Sequence, residues 1–186
     1  MPFFVIIIYI IAKKECNQIR MAEKDKIFES KIKQVGFANF KDYYSFMYDW
    51  LNGEEYDVSE DKYSETIEGD ATKIEIEWTA FRKISDYFKF ELKIAWKVLN
   101  MKTVEVERDG KKVKIQSGTF ELKVKGYLVK DYENKWEDRP FWKFLRGVYD
   151  RYIIRTRIIQ YEDKLFGECD NFLAQAKSFL AIEGKR

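Results

Sequence analysis

Histidine is absent from the 186-residue chain, which excludes histidine triads, histidine general bases and histidine metal ligands. The only cysteines, Cys16 and Cys169, lie too far apart in the sequence to form a zinc motif or a disulfide framework. The nine glycines are scattered, so there is no glycine-rich phosphate loop. With a formal net charge of only +2, no overall basic field indicates a nucleic-acid partner. No motif predicts a catalytic residue, a metal site or a cofactor, and a non-enzymatic role is favoured.

The sequence also lacks an apolar run as long as a membrane-spanning helix, which needs about 20 residues. Its longest run, PFFVIIIYIIA, covers residues 2–12 and is followed, not preceded, by positive charge, which is the reverse of a secretory signal peptide. Residues 1–20 therefore have three interpretations: an extended start before Met21, a short membrane anchor, or an additional strand. Residues 21–186 are predicted to form one domain. A cytoplasmic location is expected, with membrane anchoring through residues 2–12 as the less favoured alternative.

The first third of the domain contains one clear helix signal. Residues 25–35 fit either a strand or a helix. Asn39 is a suitable cap for a helix reading FKDYYSFMYDWL, which Asn52 and Gly53 can end. Residues 54–70 carry eight acidic side chains and one lysine, which predicts a solvated loop with at most a short strand at 63–67. A Ca²⁺ site is disfavoured because the spacing of these acids fits no defined calcium loop.

Between residues 73 and 129 apolar and polar side chains alternate, and this period of two predicts β-strands. The clearest segment is YFKFELKIAWKVL at 87–99, in which Phe88, Phe90 and Leu92 share a face opposite the lysines. The pair Asp109-Gly110 separates two alternating segments and predicts a tight hairpin. Gly126 marks a bend or a bulge in the last of these strands. Alternation over successive strands indicates an antiparallel sheet with one solvent-facing side.

The last third reads as helices and one further strand. Pro140 fits the first turn of a helix, PFWKFLRGVYDRY. Residues 152–161 are rich in β-branched side chains, which favours a last strand over a continuation of that helix. An apolar stripe at helical spacing from Leu165 to Leu180 predicts an amphipathic C-terminal helix. The predicted fold class is therefore α+β, with an antiparallel sheet packed against a long C-terminal helix.

The order of the predicted elements resembles the helix-grip fold of the START/polyketide-cyclase-like (SRPBCC) superfamily. The elements that carry this resemblance are the helix FKDYYSFMYDWL, the strands between 73 and 129, and the helix LFGECDNFLAQAKSFLAI. The resemblance covers most of residues 25–182, and the Pro140 helix is an addition to its simplest members. It implies a curved sheet that grips the C-terminal helix, often around a hydrophobic ligand cavity. The candidate cavity residues are Trp78, Phe90, Leu92, Trp96, Phe120, Leu165, Phe172 and Phe179.

A second region with a functional composition is the segment 139–160, which holds six Lys/Arg residues against one acid. Interleaved aromatic residues make it typical of surfaces that contact nucleic acid or anionic membranes. Its candidate contact residues are Arg146, Arg151, Arg155 and Arg157. The leading prediction is a non-catalytic module that binds a hydrophobic small molecule or a protein partner through an aromatic-lined cavity or groove. The alternative is a nucleic-acid or ribosome-associated protein, or one bound to an anionic membrane surface, that uses the 139–160 segment.

Overall fold

The computed structural model describes residues 23–108, 111–133, 147–149 and 151–185. Five antiparallel strands form one sheet in the order β1-β5-β4-β3-β2, and helix α1 follows β1 while helix α2 follows the sheet. The sheet is curved and packs against the C-terminal helix, which confirms the α+β prediction. The bounds are β1 Glu23–Ala38, α1 Phe40–Gly53, β2 Asp57–Glu68, β3 Ala71–Lys83, β4 Phe88–Arg108, β5 Lys111–Lys130 and α2 Arg155–Lys185.

The core lies between one face of the sheet and both helices. On β3 and β4 the buried residues alternate with more exposed ones, and Trp78 pairs with Ile94 while Ile76 pairs with Trp96. These side chains meet the apolar stripes of the two helices, because a sheet face and a helix stripe must each bury against another element. The helix residues buried in this core include Phe40, Tyr43, Met47 and Leu51 from α1 and Leu165, Cys169, Phe172, Leu173, Ala176 and Leu180 from α2.

Helix α1 begins where the sequence predicts. The Asn39 side chain accepts a hydrogen bond from the backbone N–H of Lys41 at 3.2 Å, which satisfies one of the free donors of the first turn. A second free donor, the Phe40 N–H, bonds the Gln116 side-chain oxygen on β5 at 2.9 Å. The helix ends at Gly53, and Glu55 then takes a positive φ of 62° as the chain turns into β2.

The prediction of a solvated loop at 54–70 is wrong, because residues 57–68 form strand β2. Among the described strands it lies at the edge of the sheet and pairs with β3. Most of its described side chains are exposed, so it lacks the apolar alternation that reveals a central strand. Three of its acids, Glu60, Asp61 and Glu65, accept hydrogen bonds from nearby side chains. Glu60, for example, accepts from the Tyr44 hydroxyl at 2.8 Å.

The prediction of a last strand at 152–161 is also wrong, because α2 begins at Arg155. The β-branched residues of this segment bury one helical face: Ile154 and Ile158 are both buried and the Ile158 N–H bonds the Ile154 carbonyl at 2.9 Å. Packing of these two residues on the core outweighs the strand preference of isoleucine. Residues 25–35, for which a strand and a helix were both open, lie in β1.

Several predictions fall on parts of the chain that are not described. Outside the described residues lie residues 1–20, the turn residues Asp109 and Gly110, and residues 140–146 and 150 of the helix predicted from Pro140. Residues 147–149 and 151–152 of that predicted helix are helical. The strand residues on either side of that turn, Arg108 and Lys111, pair with each other, as a two-residue hairpin requires.

Gly126 lets helix α2 approach the sheet closely. A Cβ atom at this position would lie 2.7 Å from the Cys169 sulfur and 3.3 Å from the Phe28 Cβ, and both distances are shorter than ordinary contacts. The bulge that the sequence suggests near Gly126 is carried by the facing strand, between Lys26 and Phe28 of β1. The sheet irregularity and the glycine thus coincide at the point where α2 crosses.

Candidate functional site

The aromatic side chains in the middle of the core form one connected cluster, which we call the aromatic core. Trp78 and Trp96 of the sheet have ring centroids 5.1 Å apart. Tyr43 of α1 lies edge-on to Trp96, with 5.1 Å between the ring centroids, and 5.3 Å from Phe179 of α2. The cluster therefore joins the sheet to both helices.

The eight residues predicted to line a cavity lie together between the sheet and the helices. All of them belong to the core, and only Phe179 is partly exposed. The structure places them on the apolar faces of β3, β4, β5 and α2, as the alternation and the helical stripe predict. They are Trp78, Phe90, Leu92, Trp96, Phe120, Leu165, Phe172 and Phe179.

Two polar atoms inside the aromatic core have no hydrogen-bond partner. They are the Tyr43 hydroxyl and the Trp96 indole N–H, both fully buried, and neither is bonded to any group in the described part of the chain. Burial raises the pKa of the Tyr43 hydroxyl well above its usual value, so this group stays neutral. A buried donor without an acceptor costs about 1–3 kcal/mol. Two such groups on contacting rings require an explanation.

Sequence reasoning did not select Tyr43 as a functional residue. The available signal was its position, since it is a tyrosine among Phe40, Met47 and Leu51 on the buried face of α1. A tyrosine at such a position usually directs its hydroxyl to a partner. Only the tertiary structure reveals that no described residue supplies one.

Aromatic rings of the two helices connect the surface to the Tyr43 ring. Phe46 of α1 stacks on Phe179 of α2 with 5.2 Å between the ring centroids. Phe46 is 36% exposed, whereas Phe179 contacts both Phe46 and the buried Tyr43. Phe179 thus lies between the exposed Phe46 ring and the buried Tyr43 ring.

A partly buried ion pair fastens α2 to the sheet. The Arg82 Nη2 atom of β3 donates to Glu168 Oε1 of α2 at 2.5 Å, and the Tyr56 hydroxyl donates to Glu168 Oε2 at 2.6 Å. Arg82 also bonds the Glu54 carbonyl, and its guanidinium lies 4.8 Å from the centroid of the Tyr56 ring. This Arg82–Glu168 network joins β3, α2 and the connection after α1, and it was not predicted from the sequence.

A cavity of about 250 Å³ lies at the end of the sheet where β4 begins and β5 ends. Its lining combines aromatic residues such as Tyr87 and Tyr161 with the charged residues Asp86, Asp131 and Arg157. The residues that line this cavity differ from those of the aromatic core. Arg157 thereby connects this cavity to the predicted basic segment.

Three of the four predicted anionic-contact residues belong to the described part of the chain. Arg151, Arg155 and Arg157 are exposed and lie close together in the chain at the start of α2. Arg146 lies outside the described residues. These three arginines form no ion pair with any other described residue.

The described residues hold neither a metal-binding cluster nor a membrane-spanning helix. No group of three or more acidic or cysteine side chains there is arranged to hold a metal ion. No helix of that part combines the length and apolar composition needed to cross a membrane.

No protein-family model, curated protein or solved structure matches the chain. The resemblance to the helix-grip superfamily therefore rests on the order of the elements.

Proposed function

We propose that this protein binds a neutral, largely apolar small molecule that carries a carbonyl or similar acceptor oxygen. The binding site is the aromatic core between the sheet and the two helices. The single observation that carries the proposal is the pair of buried, unpartnered donors, Tyr43 Oη and Trp96 Nε1. A hydrogen-bond acceptor from a ligand would satisfy what the described protein groups leave open.

The chemistry of the two groups supports an acceptor on the ligand. The indole N–H can only donate, and the tyrosine hydroxyl can donate or accept. A carbonyl oxygen has two lone pairs, so one oxygen can accept from both donors. The surrounding rings of Trp78 and Phe120 supply an apolar environment for the remainder of the molecule, as is usual for small-molecule sites.

Local charge favours a neutral ligand over a free acid. The buried charged side chains in the described part of the chain are Glu91 and Asp131, and both are acidic. Since no lysine or arginine of the described part is buried to the same degree, an anion in the aromatic core would lose its hydration without a compensating charge from those residues, which is costly in an apolar environment. Ketones, esters, aldehydes and alcohols therefore suit the site better than fatty acids.

A polarity-sensitive naphthyl-ketone dye tests the proposal directly. We expect the full-length protein to bind the dye, and Tyr43→Phe to weaken binding about three- to tenfold because one neutral hydrogen bond is lost. The matched control is Tyr48→Phe, which removes a partly exposed hydroxyl on the same helix and should leave affinity unchanged. A naphthalene dye without the ketone should not distinguish Tyr43→Phe from the unmodified protein.

Phe179→Ala examines the route of entry. Removing the ring between Phe46 and Tyr43 should speed association of the ketone dye, measured by stopped-flow fluorescence, without abolishing binding. Native mass spectrometry of freshly purified protein should detect a copurified neutral molecule. Equal affinity of the ketone dye for Tyr43→Phe and the unmodified protein, or no binding to either, would refute the proposal.

A further inference from the structure

The turn that precedes α2 presents large apolar side chains to solvent. Tyr152 is 74% exposed and Ile153 is 68% exposed. The turn is held in place, because the N–H groups of Ile153 and Ile154 both bond the Tyr149 carbonyl, at 2.9 and 3.1 Å. Ile154 is buried in the core, so the chain is anchored immediately beside the two exposed residues. We call residues 151–157, which comprise this turn and the first three residues of α2, the exposed turn.

Positive charge surrounds these apolar side chains. Arg151 precedes them, and Arg155 and Arg157 follow them in the first turn of α2; all three are exposed and unpaired among the described residues. Asp86 and Asp131 line the neighbouring cavity together with Arg157, and Asp131 is buried. The exposed turn therefore combines protruding apolar groups with three exposed arginines that form no ion pair with a described residue.

The exposed turn lies at the end of the sheet where the described chain begins. Glu23, the first residue of β1, pairs with Lys130, and the next residue, Asp131, donates its N–H to the Tyr87 carbonyl at 2.8 Å. The Tyr87 ring contacts the Tyr149 ring, 6.5 Å between centroids, and Tyr149 holds the exposed turn. In sequence, the apolar run 2–12 is joined to Glu23 by residues 13–22, a length that can extend at most about 33–36 Å.

We propose that this end of the molecule binds the surface of an anionic lipid bilayer. Tyr152 and Ile153 enter the boundary between headgroups and acyl chains, where tyrosine and aliphatic side chains are favoured. Arg151, Arg155 and Arg157 contact the lipid phosphates. A nucleic acid would use the arginines and the tyrosine ring, but it offers no favourable environment for an exposed isoleucine. This interaction is independent of the proposed ligand site, since the two share no residue.

Vesicle sedimentation with the full-length protein tests the proposal. Vesicles of phosphatidylcholine with phosphatidylserine should bind the protein at low salt, and binding should fall at about 0.5 M salt because charge attraction is screened. Changing Arg151, Arg155 and Arg157 together to glutamine should lower the partition coefficient about 100-fold at low salt. The double variant Tyr152→Ser/Ile153→Ser should lower it at least tenfold.

Matched controls separate the exposed turn from general charge and hydrophobicity. Lys41→Gln/Lys97→Gln/Lys102→Gln removes the same charge from exposed positions elsewhere. Val35→Ser/Ile67→Ser removes two apolar residues that are 73% and 75% exposed. Both control variants should bind vesicles as the unmodified protein does, and circular dichroism should confirm that every variant is folded.

Three results would overturn the proposal. The first is no salt-dependent binding to anionic vesicles. The second is unchanged vesicle binding by the exposed-turn variants, because attachment through the run 2–12 alone would persist in all of them. The third is binding of single-stranded RNA that depends on the three arginines but not on Tyr152 and Ile153, which would assign the exposed turn to nucleic acid instead.

Discussion

Replacing Arg82 with methionine removes the cation from the Arg82–Glu168 network. The Glu168 carboxylate stays in place, where its side chain is only 13% exposed, and the Tyr56 hydroxyl is its remaining close donor. Lys164 lies 4.0 Å away, but its side chain is 56% exposed, so its charge is screened by solvent. The variant therefore leaves a poorly compensated charge at the junction of α2 and the sheet.

The expected cost follows from this burial. Removing one partner of a buried ion pair typically costs about 3–5 kcal/mol, because the other charge remains desolvated. Since domains of this kind are stabilised by only about 5–15 kcal/mol, Arg82→Met should lower the melting temperature severely. The double variant Arg82→Met/Glu168→Leu leaves no charge at the site and should recover most of the lost stability.

Urea unfolding followed by tryptophan fluorescence measures these free energies, and a double-mutant cycle isolates the coupling between the two residues. We expect a coupling energy of about 2–4 kcal/mol for Arg82 and Glu168. The control is the surface pair Lys73–Glu75 on the same strand, 3.1 Å apart with side chains 40% and 24% exposed, for which about 0–1 kcal/mol is expected. A coupling energy for Arg82–Glu168 no larger than that of the control would contradict our account of how α2 is fastened.

Two further predictions concern the contact between α2 and β5. Gly126→Ala should lower the free energy of unfolding by about 1–3 kcal/mol in urea unfolding, because the added methyl group overpacks against the Cys169 sulfur. Adding Cys169→Ala should restore part of this loss. An unchanged free energy of unfolding in Gly126→Ala alone would show that α2 is farther from the sheet. Burial raises the pKa of the Cys169 thiol from 9.0 to about 12. The unfolded chain therefore loses this proton first, and the free energy of unfolding should fall as the pH rises from 9 towards 12. Cys169→Ala should show a smaller fall, and equal pH dependence in the two proteins would contradict the burial of this thiol.

The sequence predicts which candidate residues face the core, whereas their role in a ligand site stays a prediction and the chemistry around them was missed. The alternation that places Trp96 on the apolar face of β4 also predicts that it meets the stripe of α2 containing Phe172. No pattern in the sequence reports whether the indole N–H of Trp96 finds an acceptor, because that depends on what every neighbouring segment places around it. The unpartnered Tyr43 hydroxyl is hidden from sequence reasoning for the same reason.

The sequence by itself determined the features that depend on neighbours in the chain. The period of two in β3, β4 and β5, the cap at Asn39 and the helical stripe from Leu165 follow from local geometry, since side chains alternate across a strand and recur every three or four residues on a helix. Each of these features can be recognised within a window of about a dozen residues.

Only the tertiary structure decided the features that depend on distant partners. Strand β2 forms because β3 offers it a hydrogen-bonding edge, although its own side chains are mostly polar. Residues 155–161 are helical because Ile158 buries on a core built by other segments. Arg82 and Glu168 are separated by 86 residues, so their ion pair exists only after the chain has folded. In each case the stabilising partner lies far away in the sequence, and local propensity is outweighed by burial and pairing that local sequence cannot encode.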